Sequence, residues 1–214
     1  MPRSVGGTPA AAQLGMPRPP RHKTSRRFGV DIYGTGGESL QRRLGTPPGG
    51  IRTGRRRRSS TYAIQLIEKQ KAKAIYGVAE GQFRRYFERG QRREGEPGAN
   101  LLILLERRLD NVIYRLGFAR SRPMARQLVS HGHVRVDGRR VNVPSFLVEP
   151  GHVVELTEEA AKLPVVIEER AARRPVPEWL EPIGDRGGRV VRLPERADID
   201  APIDELQIVG FYSR

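Results

Sequence analysis

The most constraining feature of this chain is the stretch of residues 107–143, in which a helical pattern gives way to a strand pattern. Its first part predicts two short amphipathic helices, and its second part predicts a tight hairpin. Val134 and Val136 alternate with polar residues as in a strand, and Asp137-Gly138 is typical of a type I′ turn. The stretch therefore predicts a compact α/β platform.

The helical part carries an apolar stripe and a set of arginines on its other sides. The first helix is expected to end near Gly117. On the next helix, Ser121 is the predicted N-cap and Pro123 lies in the first turn, where its missing N–H costs little. Gly132 is expected to end this second helix. The predicted stripe comprises Leu102, Leu105, Leu109, Val112, Ile113 and Leu116, and the set expected to face outward includes Arg108, Asn111, Arg115, Arg122 and Arg126.

The charge of the chain indicates a polyanionic partner. It has 39 Lys and Arg residues against 24 Asp and Glu residues, which gives a formal net charge of +15. Residues 107–140 contain nine basic and two acidic side chains, a bias that nucleic-acid phosphates explain better than a solvated arginine surface does. Residues 141–214 have 9 basic and 14 acidic side chains, and we expect this part to face solvent or a basic neighbouring protein.

Two further helices are predicted before this stretch, over residues 62–75 and 78–94. On the second of them, Phe83 and Phe87 share one face, while arginines share another. This separation is expected of a helix that packs on one side and lies against RNA on the other.

The acidic part of the chain also carries recognisable elements. Residues 158–173 predict a helix, and Gly187-Gly188 is expected to precede a short strand over residues 190–193. Asp204 is the predicted N-cap of a final helix, with Gln207 at the capping-box position.

Residues 1–60 are rich in Gly, Pro and Arg, and this composition predicts no ordered core. The run Arg55–Arg58 is interpreted as an arm that orders on RNA, with a solvated basic tail as the alternative. Residues 1–15 are expected to be an extension, and an organelle transit peptide is a less favoured interpretation.

Several segments resemble the S4 family of small-subunit ribosomal proteins. The resemblance covers roughly residues 45–214, and more weakly the chain from Met16. It is carried by ERRLDNVIYRLGFARSR (106–122), ARQLVSHGHVRVDGRRVNVPS (125–145), IEKQKAKAIYGVAEGQFRRYF (67–87) and the closing segments VVRLPER and LQIVGFYSR.

The resemblance implies an α+β fold, in which a helical domain carries an inserted α/β RNA-binding module of two helices plus a hairpin on a small antiparallel sheet. The final segment is expected to pack on the helices of residues 62–94. The expected domains are a basic, Gly/Pro-rich N-terminal extension over 1–50, a helical body domain over 51–97 completed by 195–214, and an inserted domain over 98–194 whose RNA-binding core is 107–156.

The resemblance implies a binding function: the protein would hold a multi-helix junction of small-subunit rRNA, nucleate assembly of the subunit body and contribute to translational accuracy. Expected partners are small-subunit rRNA, neighbouring small-subunit proteins and messenger RNA where it enters the subunit. We expect a cytoplasmic bacterial ribosome, with an organellar ribosome as the alternative, and no membrane partner. The residues expected to bind RNA are Arg55, Arg56, Arg57, Arg58, Tyr62, Lys69, Lys71, Lys73, Arg84, Arg85, Arg89, Arg108, Arg115, Arg120, Ser121, Arg122, Arg126, Gln127, His131, His133, Arg135, Arg139 and Arg140.

Catalysis is not expected. Arg108-Leu109-Asp110 matches the letters of the pseudouridine synthase motif, but Asp110 lies inside a predicted helix, where we expect it on the surface, paired with an arginine. The chain has no cysteine and resembles the zinc-free branch of the family, so no metal or cofactor is predicted.

Two further classes of binding protein stay open. One is a stand-alone RNA chaperone or recycling factor built on the same module, and the second is a DNA-binding protein. Replacing Arg122 and Arg126 by Glu is expected to weaken RNA binding without unfolding the protein.

Overall fold

The computed structural model describes residues 21–34, 37–50 and 60–213. The run Arg55–Arg58 therefore lies outside the described residues. The helices of the first half are α1 (Arg21–Phe28), α2 (Gly37–Gln41), α3 (Thr61–Tyr76), α4 (Glu80–Gln91) and α5 (Pro97–Glu106). The second half contains α6 (Leu109–Arg115), α7 (Arg122–Ser130), β1 (Val134–Val136), β2 (Arg139–Arg140), β3 (Val153–Leu156), α8 (Glu158–Ala161), α9 (Pro164–Ala171), β4 (Leu180–Ile183), β5 (Gly187–Val190), a 3₁₀ turn (Arg196–Asp198) and α10 (Glu205–Tyr212).

Two apolar clusters form the interior. The first is built from α3, α4, α5 and α10, and the second from α6, α7, the sheet and the segment around Trp179. Trp179 is fully buried in the second cluster. The α+β fold class is confirmed. The domain boundaries stay a prediction. The leucines of α5, which were assigned to the inserted domain, pack in the first cluster.

The apolar stripe predicted for one helix is divided between the two clusters, and that prediction is wrong. Leu102 and Leu105 pack in the first cluster, whereas Leu109 and its successors pack in the second. The helix stops at Glu106 and starts again at Leu109, because Arg108 is extended (φ −65°, ψ 136°) and caps α6. Apolar spacing alone does not show such a break.

The described strands form one antiparallel sheet in the order β2-β1-β3-β5-β4. Asp137 (φ 50°) and Gly138 (φ 77°) both have positive φ, as a type I′ turn requires, so the predicted hairpin turn is confirmed. The Asp137 side chain also accepts a hydrogen bond from the Val153 amide (2.8 Å), which fastens the turn to β3.

The last two strands differ from the prediction. The final strand is Gly187–Val190, earlier than the predicted 190–193, and β4 was not predicted at all. Glycine is a poor strand former, which is why the pattern was missed. A Cβ at Gly188 would meet the side chain of Leu116, which follows α6, so a larger residue there would require Leu116 to move.

The final helix packs across the first half, as expected. The rings of Tyr212 and Phe87 stack with centroids 4.5 Å apart, joining α10 to α4. The Asp204 side chain accepts hydrogen bonds from the amides of Leu206 and Gln207, so the predicted N-cap is confirmed. The reciprocal capping-box bond is replaced, because the Asp204 amide donates to Glu68 of α3 instead (3.3 Å).

Among the described residues, no helix is long and apolar enough to cross a membrane. Within the same ranges, no group of three or more His, Cys, Asp or Glu side chains could hold a metal ion.

Candidate nucleic-acid interface

The outer face of α4 is an arginine surface. Phe83 and Phe87 of this helix are buried in the first cluster, so the opposite face is turned to solvent. We define the α4 arginine set as Arg85, Arg89, Arg92 and Arg93, whose side chains are exposed and have no hydrogen-bond or ion-pair partner in the part of the chain that the structure describes.

The α4 arginine set creates a positive local field. Burial and the nearby charges of Arg93 and Arg89 together lower the pKa of Arg107, at the end of α5. Arg84 contributes less to this field, because its Nε lies 3.0 Å from the Glu88 carboxylate one turn away. A cluster of like charges without counter-charges favours an anionic partner. Arg92 and Arg93 were not in the expected set, although their exposed position on the helical pattern could have placed them there.

The second half has its own exposed cations. Arg120 precedes α7, and Arg135 and Arg139 belong to the β1–β2 hairpin. All three side chains are exposed, and no ion pair engages them among the described residues. In the sheet register, Arg135 stands between Arg140 of β2 and Glu155 of β3. We define the module arginine set as Arg120, Arg135 and Arg139.

The remaining polar groups of the module are more varied. Gln127 and His131 are exposed, and His133 is half-buried with its ring centroid 6.2 Å from that of His131. Arg126 is 42% exposed, and its Nη1 lies 3.7 Å from the Asp110 carboxylate. Ser121 precedes α7 as predicted, but it is buried and its side chain makes no capping hydrogen bond. Ser121, which was expected to bind RNA, is therefore not part of the exposed surface of the module.

Arg140 is exposed, and its guanidinium lies against the end of α7. Its guanidinium donates from Nε to the Gly132 carbonyl (2.6 Å) and from Nη2 to the His131 carbonyl (3.2 Å). A cation at the C-terminus of a helix compensates the partial negative charge of the unpaired carbonyls. Arg140 thus joins the hairpin to α7, which the sequence did not indicate.

The three lysines of α3, which were expected to bind RNA, are paired with carboxylates within the protein. The Nζ atoms of Lys69 and Lys73 both lie 2.7 Å from the Glu80 carboxylate, and Lys71 lies 2.7 Å from Glu68. Burial tends to raise the pKa of Glu80, but the hydrogen bonds from the two lysines outweigh it and lower this pKa to about 2.

The Lys69 side chain, only 6% exposed, is also held by aromatic rings of the final helix. Its Nζ lies 4.1 Å from the ring centroid of Phe211, within cation–π range. Tyr62, in the first turn of α3, is 49% exposed, and its ring lies 5.6 Å from that of Phe211. This end of α3 is thus a packing site for α10.

Arg108 is fully buried, which corrects its expected outward position. Its guanidinium contacts both carboxylate oxygens of Asp110 (3.0 and 2.6 Å) and the Tyr86 hydroxyl (2.9 Å). Asp110 therefore pairs with an arginine as predicted, but in the interior and not on the surface. Burial disfavours the charged guanidinium of Arg108, but the hydrogen bonds and charge of Asp110 outweigh it and raise its pKa.

Arg115 and Arg122 are also engaged inside the protein, with side chains 10% and 12% exposed. Arg115 forms two hydrogen bonds of 2.9 Å with the Glu106 carboxylate. Arg122 donates to the Asn111 side chain (2.7 Å). The prediction that these two arginines and Asn111 share an outward face is wrong, because α6 and the start of α7 pack against the end of α5.

The structure therefore combines a small antiparallel α/β module with two sets of exposed arginines. Such an arrangement is suited to binding a nucleic acid, and two family models place the chain in the class of S4-domain RNA-binding proteins. Residues 107–154 match the family model of the S4 domain, and residues 18–106 match that of the ribosomal protein S4/S9 N-terminal domain.

Sequence identity to known proteins identifies the family more closely. Small ribosomal subunit protein uS4 of Geobacillus stearothermophilus is 48% identical over 196 residues, covering 91% of this chain and 97% of the relative. The uS4 of Roseiflexus sp. is 48% identical over 202 residues (92% and 98%), and that of Pelotomaculum thermopropionicum 56% over 162 residues (74% and 78%). The chain belongs to the uS4 family of small ribosomal subunit proteins, as its sequence motifs indicated. Members of this family are structural constituents of the ribosome, and the chain is not an enzyme.

Proposed function

We propose that this chain binds a multi-helix junction of small-subunit rRNA through two surfaces, the α4 arginine set and the module arginine set. The observation that carries the proposal is that these arginines are exposed and form no ion pair within the described residues, whereas most other arginines near them are paired. Arginine guanidinium groups neutralise RNA phosphates and release bound counterions on binding.

The same RNA contacts would support assembly of the small subunit and the accuracy of translation. A protein that holds several RNA helices at one junction stabilises the folded RNA, because it binds the folded state and not the unfolded one. By this reasoning the chain nucleates assembly of the subunit body and, with its protein neighbours, contributes to translational accuracy near the point where messenger RNA enters. The run Arg55–Arg58 is proposed to extend the RNA contact as an arm.

The relatives support a proposal for the cellular setting. They are small ribosomal subunit proteins of bacteria, and the share of their length that is matched is nearly complete for several of them. We place this chain in the ribosome of the bacterial cytoplasm. Its acidic second half, with 9 basic and 14 acidic side chains over residues 141–214, is suited to contact basic neighbouring proteins.

A binding titration tests the proposal. The affinity of the full chain is measured at two salt concentrations for an rRNA fragment carrying the junction, for a duplex RNA and for a duplex DNA of equal charge. A preference for the rRNA fragment that persists at the higher salt concentration supports recognition of folded RNA. Equal affinities that fall together with salt would contradict it and favour a general RNA chaperone.

A further inference from the structure

One buried carboxylate lies at the meeting point of the two apolar clusters. Glu106 is the last residue of α5 and is 1% exposed. Its two oxygens accept four hydrogen bonds: one from the Tyr76 hydroxyl (2.7 Å), one from the Asn111 side-chain amide (2.7 Å) and two from the Arg115 guanidinium (2.9 Å each). Every one of these donors is a side chain, so this carboxylate joins groups that the backbone does not connect.

The donors come from both halves of the molecule. Tyr76 closes α3 and packs in the first cluster, whereas Asn111 and Arg115 belong to α6, which packs in the second. Arg115 also reaches Asp200 (2.7 Å) in the segment that leads back to α10. The Glu106 carboxylate therefore links α3, α5, α6 and, through Arg115, the returning segment.

A stacked arginine adds α7 to this network. The Arg122 guanidinium lies between the rings of Tyr76 (4.9 Å) and Tyr114 (4.5 Å). Its Nε donates to the Asn111 carbonyl oxygen of the side chain (2.7 Å), and its Nη2 lies 3.9 Å from Glu106. The first residue of the RNA-binding module's second helix is thus held against the tyrosine that closes α3.

The carboxylate is charged and the tyrosine is neutral. Burial tends to raise the pKa of Glu106, but the charge and hydrogen bonds of Arg115 and the charge of Arg122 outweigh it and lower this pKa. Burial and the charge of Glu106 raise the pKa of Tyr76 well above its ordinary value, so the hydroxyl keeps the proton that it donates.

We propose that Glu106 is a positioning residue for RNA binding, since its carboxylate fixes the α4 arginine set and the module arginine set in one relative orientation before RNA arrives. The proposal rests on the proposed function, because it concerns two surfaces that bind one RNA. Two sites held rigidly in the bound geometry bind more tightly than two sites that must be ordered on binding. Glu106 itself does not contact RNA.

The test is Glu106→Gln, with Tyr76→Phe as a milder second variant that removes one donor and keeps the ring beneath Arg122. Both leave the exposed arginines unchanged. The full chain is titrated with the junction rRNA fragment over a range of salt concentrations. We expect Glu106→Gln to weaken binding by about tenfold and Tyr76→Phe by about threefold, with the slope of log K against log salt unchanged, because the number of phosphate contacts in the complex is the same.

The relative orientation is measured directly in the same proteins. The chain has no cysteine, so Ile64→Cys on α3 and Lys162→Cys after α8 provide two exposed label positions, one in each half. We expect a narrow distance distribution without RNA in the parent protein, a broad one in Glu106→Gln, and a narrow one again when the rRNA fragment is bound.

The matched control is Glu158→Gln, which makes the same chemical change at a carboxylate that is 71% exposed and pairs with Arg186 at the surface. It should leave both the affinity and the distance distribution unchanged. A Glu106→Gln protein with parental affinity and a narrow distribution would overturn the proposal, as would a change in salt slope. If the parent protein shows no preference for the rRNA fragment, the proposed function fails instead, and the distance measurement still reports whether Glu106 fixes the two halves.

Discussion

The arginines of α4 and those of the junction between the two clusters are the same residue type with opposite surroundings. Arg85 and Arg89 have no carboxylate partner within the described ranges and point to solvent. Arg108 is buried and the side chain of Arg115 is 10% exposed, and each contacts a carboxylate on the interior side. The number of arginines in a segment therefore does not identify an RNA-binding surface, because nearby carboxylates determine which arginines remain available for phosphate.

The largest effect on stability is expected for the buried arginines between the two apolar clusters. Arg108→Ala leaves the Asp110 carboxylate buried without its main partner and the Tyr86 hydroxyl without its hydrogen-bond donor. Breaking a buried ion pair costs about 3–5 kcal/mol of unfolding free energy. Urea unfolding followed by circular dichroism measures this. Arg85→Ala is the control and should change the free energy of unfolding by less than about 0.5 kcal/mol. Equal effects of the two variants would contradict the distinction between buried and exposed arginines.

The second prediction corrects an expectation drawn from the sequence, namely that Glu at positions 122 and 126 would leave folding intact. Arg122→Glu places a second carboxylate beside Glu106, which lies 3.9 Å from the present guanidinium, and leaves Asn111 without its donor. We expect a loss of roughly 1.5–3 kcal/mol, as for hydrogen bonds to charged groups. Thermal unfolding measures it, with Arg139→Glu on the exposed hairpin as the control. If the Arg122→Glu protein is as stable as the parent, Arg122 is not needed to hold the two apolar clusters together.

The contributions of the α4 arginine set and the module arginine set to RNA binding can be measured separately. The double variants Arg85→Ala with Arg89→Ala and Arg135→Ala with Arg139→Ala should each bind the rRNA fragment more weakly. For each phosphate contact that is lost, the slope of log K against log salt should flatten by roughly 0.7–0.9. Binding titrations at several salt concentrations measure the slope, and unfolding curves serve as the control for stability. An unchanged slope for one pair would exclude that set from the interface.

The smallest effect is expected at α3, where the lysines are paired. The pKa of Glu80 is lowered from its ordinary value of 4.5 to about 2. The ion pairs with Lys69 and Lys73 therefore stabilise the fold fully above pH 4.5, and this stabilisation is lost as the pH falls toward 2. Glu80 is 47% exposed, so solvent screening limits the contribution to less than about 1 kcal/mol.

Glu80→Gln should accordingly lose part of the acid dependence of stability between these pH values and leave the salt slope of RNA binding unaltered. Unfolding curves at a series of pH values test the first point. A changed RNA salt slope would mean that the α3 lysines do reach phosphate once Glu80 is neutral.

The sequence predicted the elements that depend on local patterns. The α3 and α4 helices, the Asp137-Gly138 turn and the Asp204 cap each follow from residues within a few positions of one another. The resemblance to the S4 family predicted the fold class and the packing of the final helix, because the motifs extend over both halves of the chain.

The sequence did not predict which arginines are buried, because their partners are distant along the chain. Arg115 meets Glu106 of the preceding helix and Asp200 far downstream, and periodicity within α6 contains neither contact. Similarly, the lysines of α3 are neutralised by Glu80 from α4. The end of α5 and the start of α6 at Arg107-Arg108 were also not predicted. The apolar residues before and after this break belong to different clusters, and the spacing of apolar residues does not show that.

Gly132 has a consequence for how this family can vary. A Cβ at this position would collide with the guanidinium of Arg140, which occupies the space beside the end of α7. Any other residue at 132 must therefore displace Arg140 from the helix end, so substitutions at the two positions are coupled and their effects on stability should not add. In a chain that carries a side chain at position 132, we therefore expect the residue at position 140 to give up its hydrogen bonds to the end of α7.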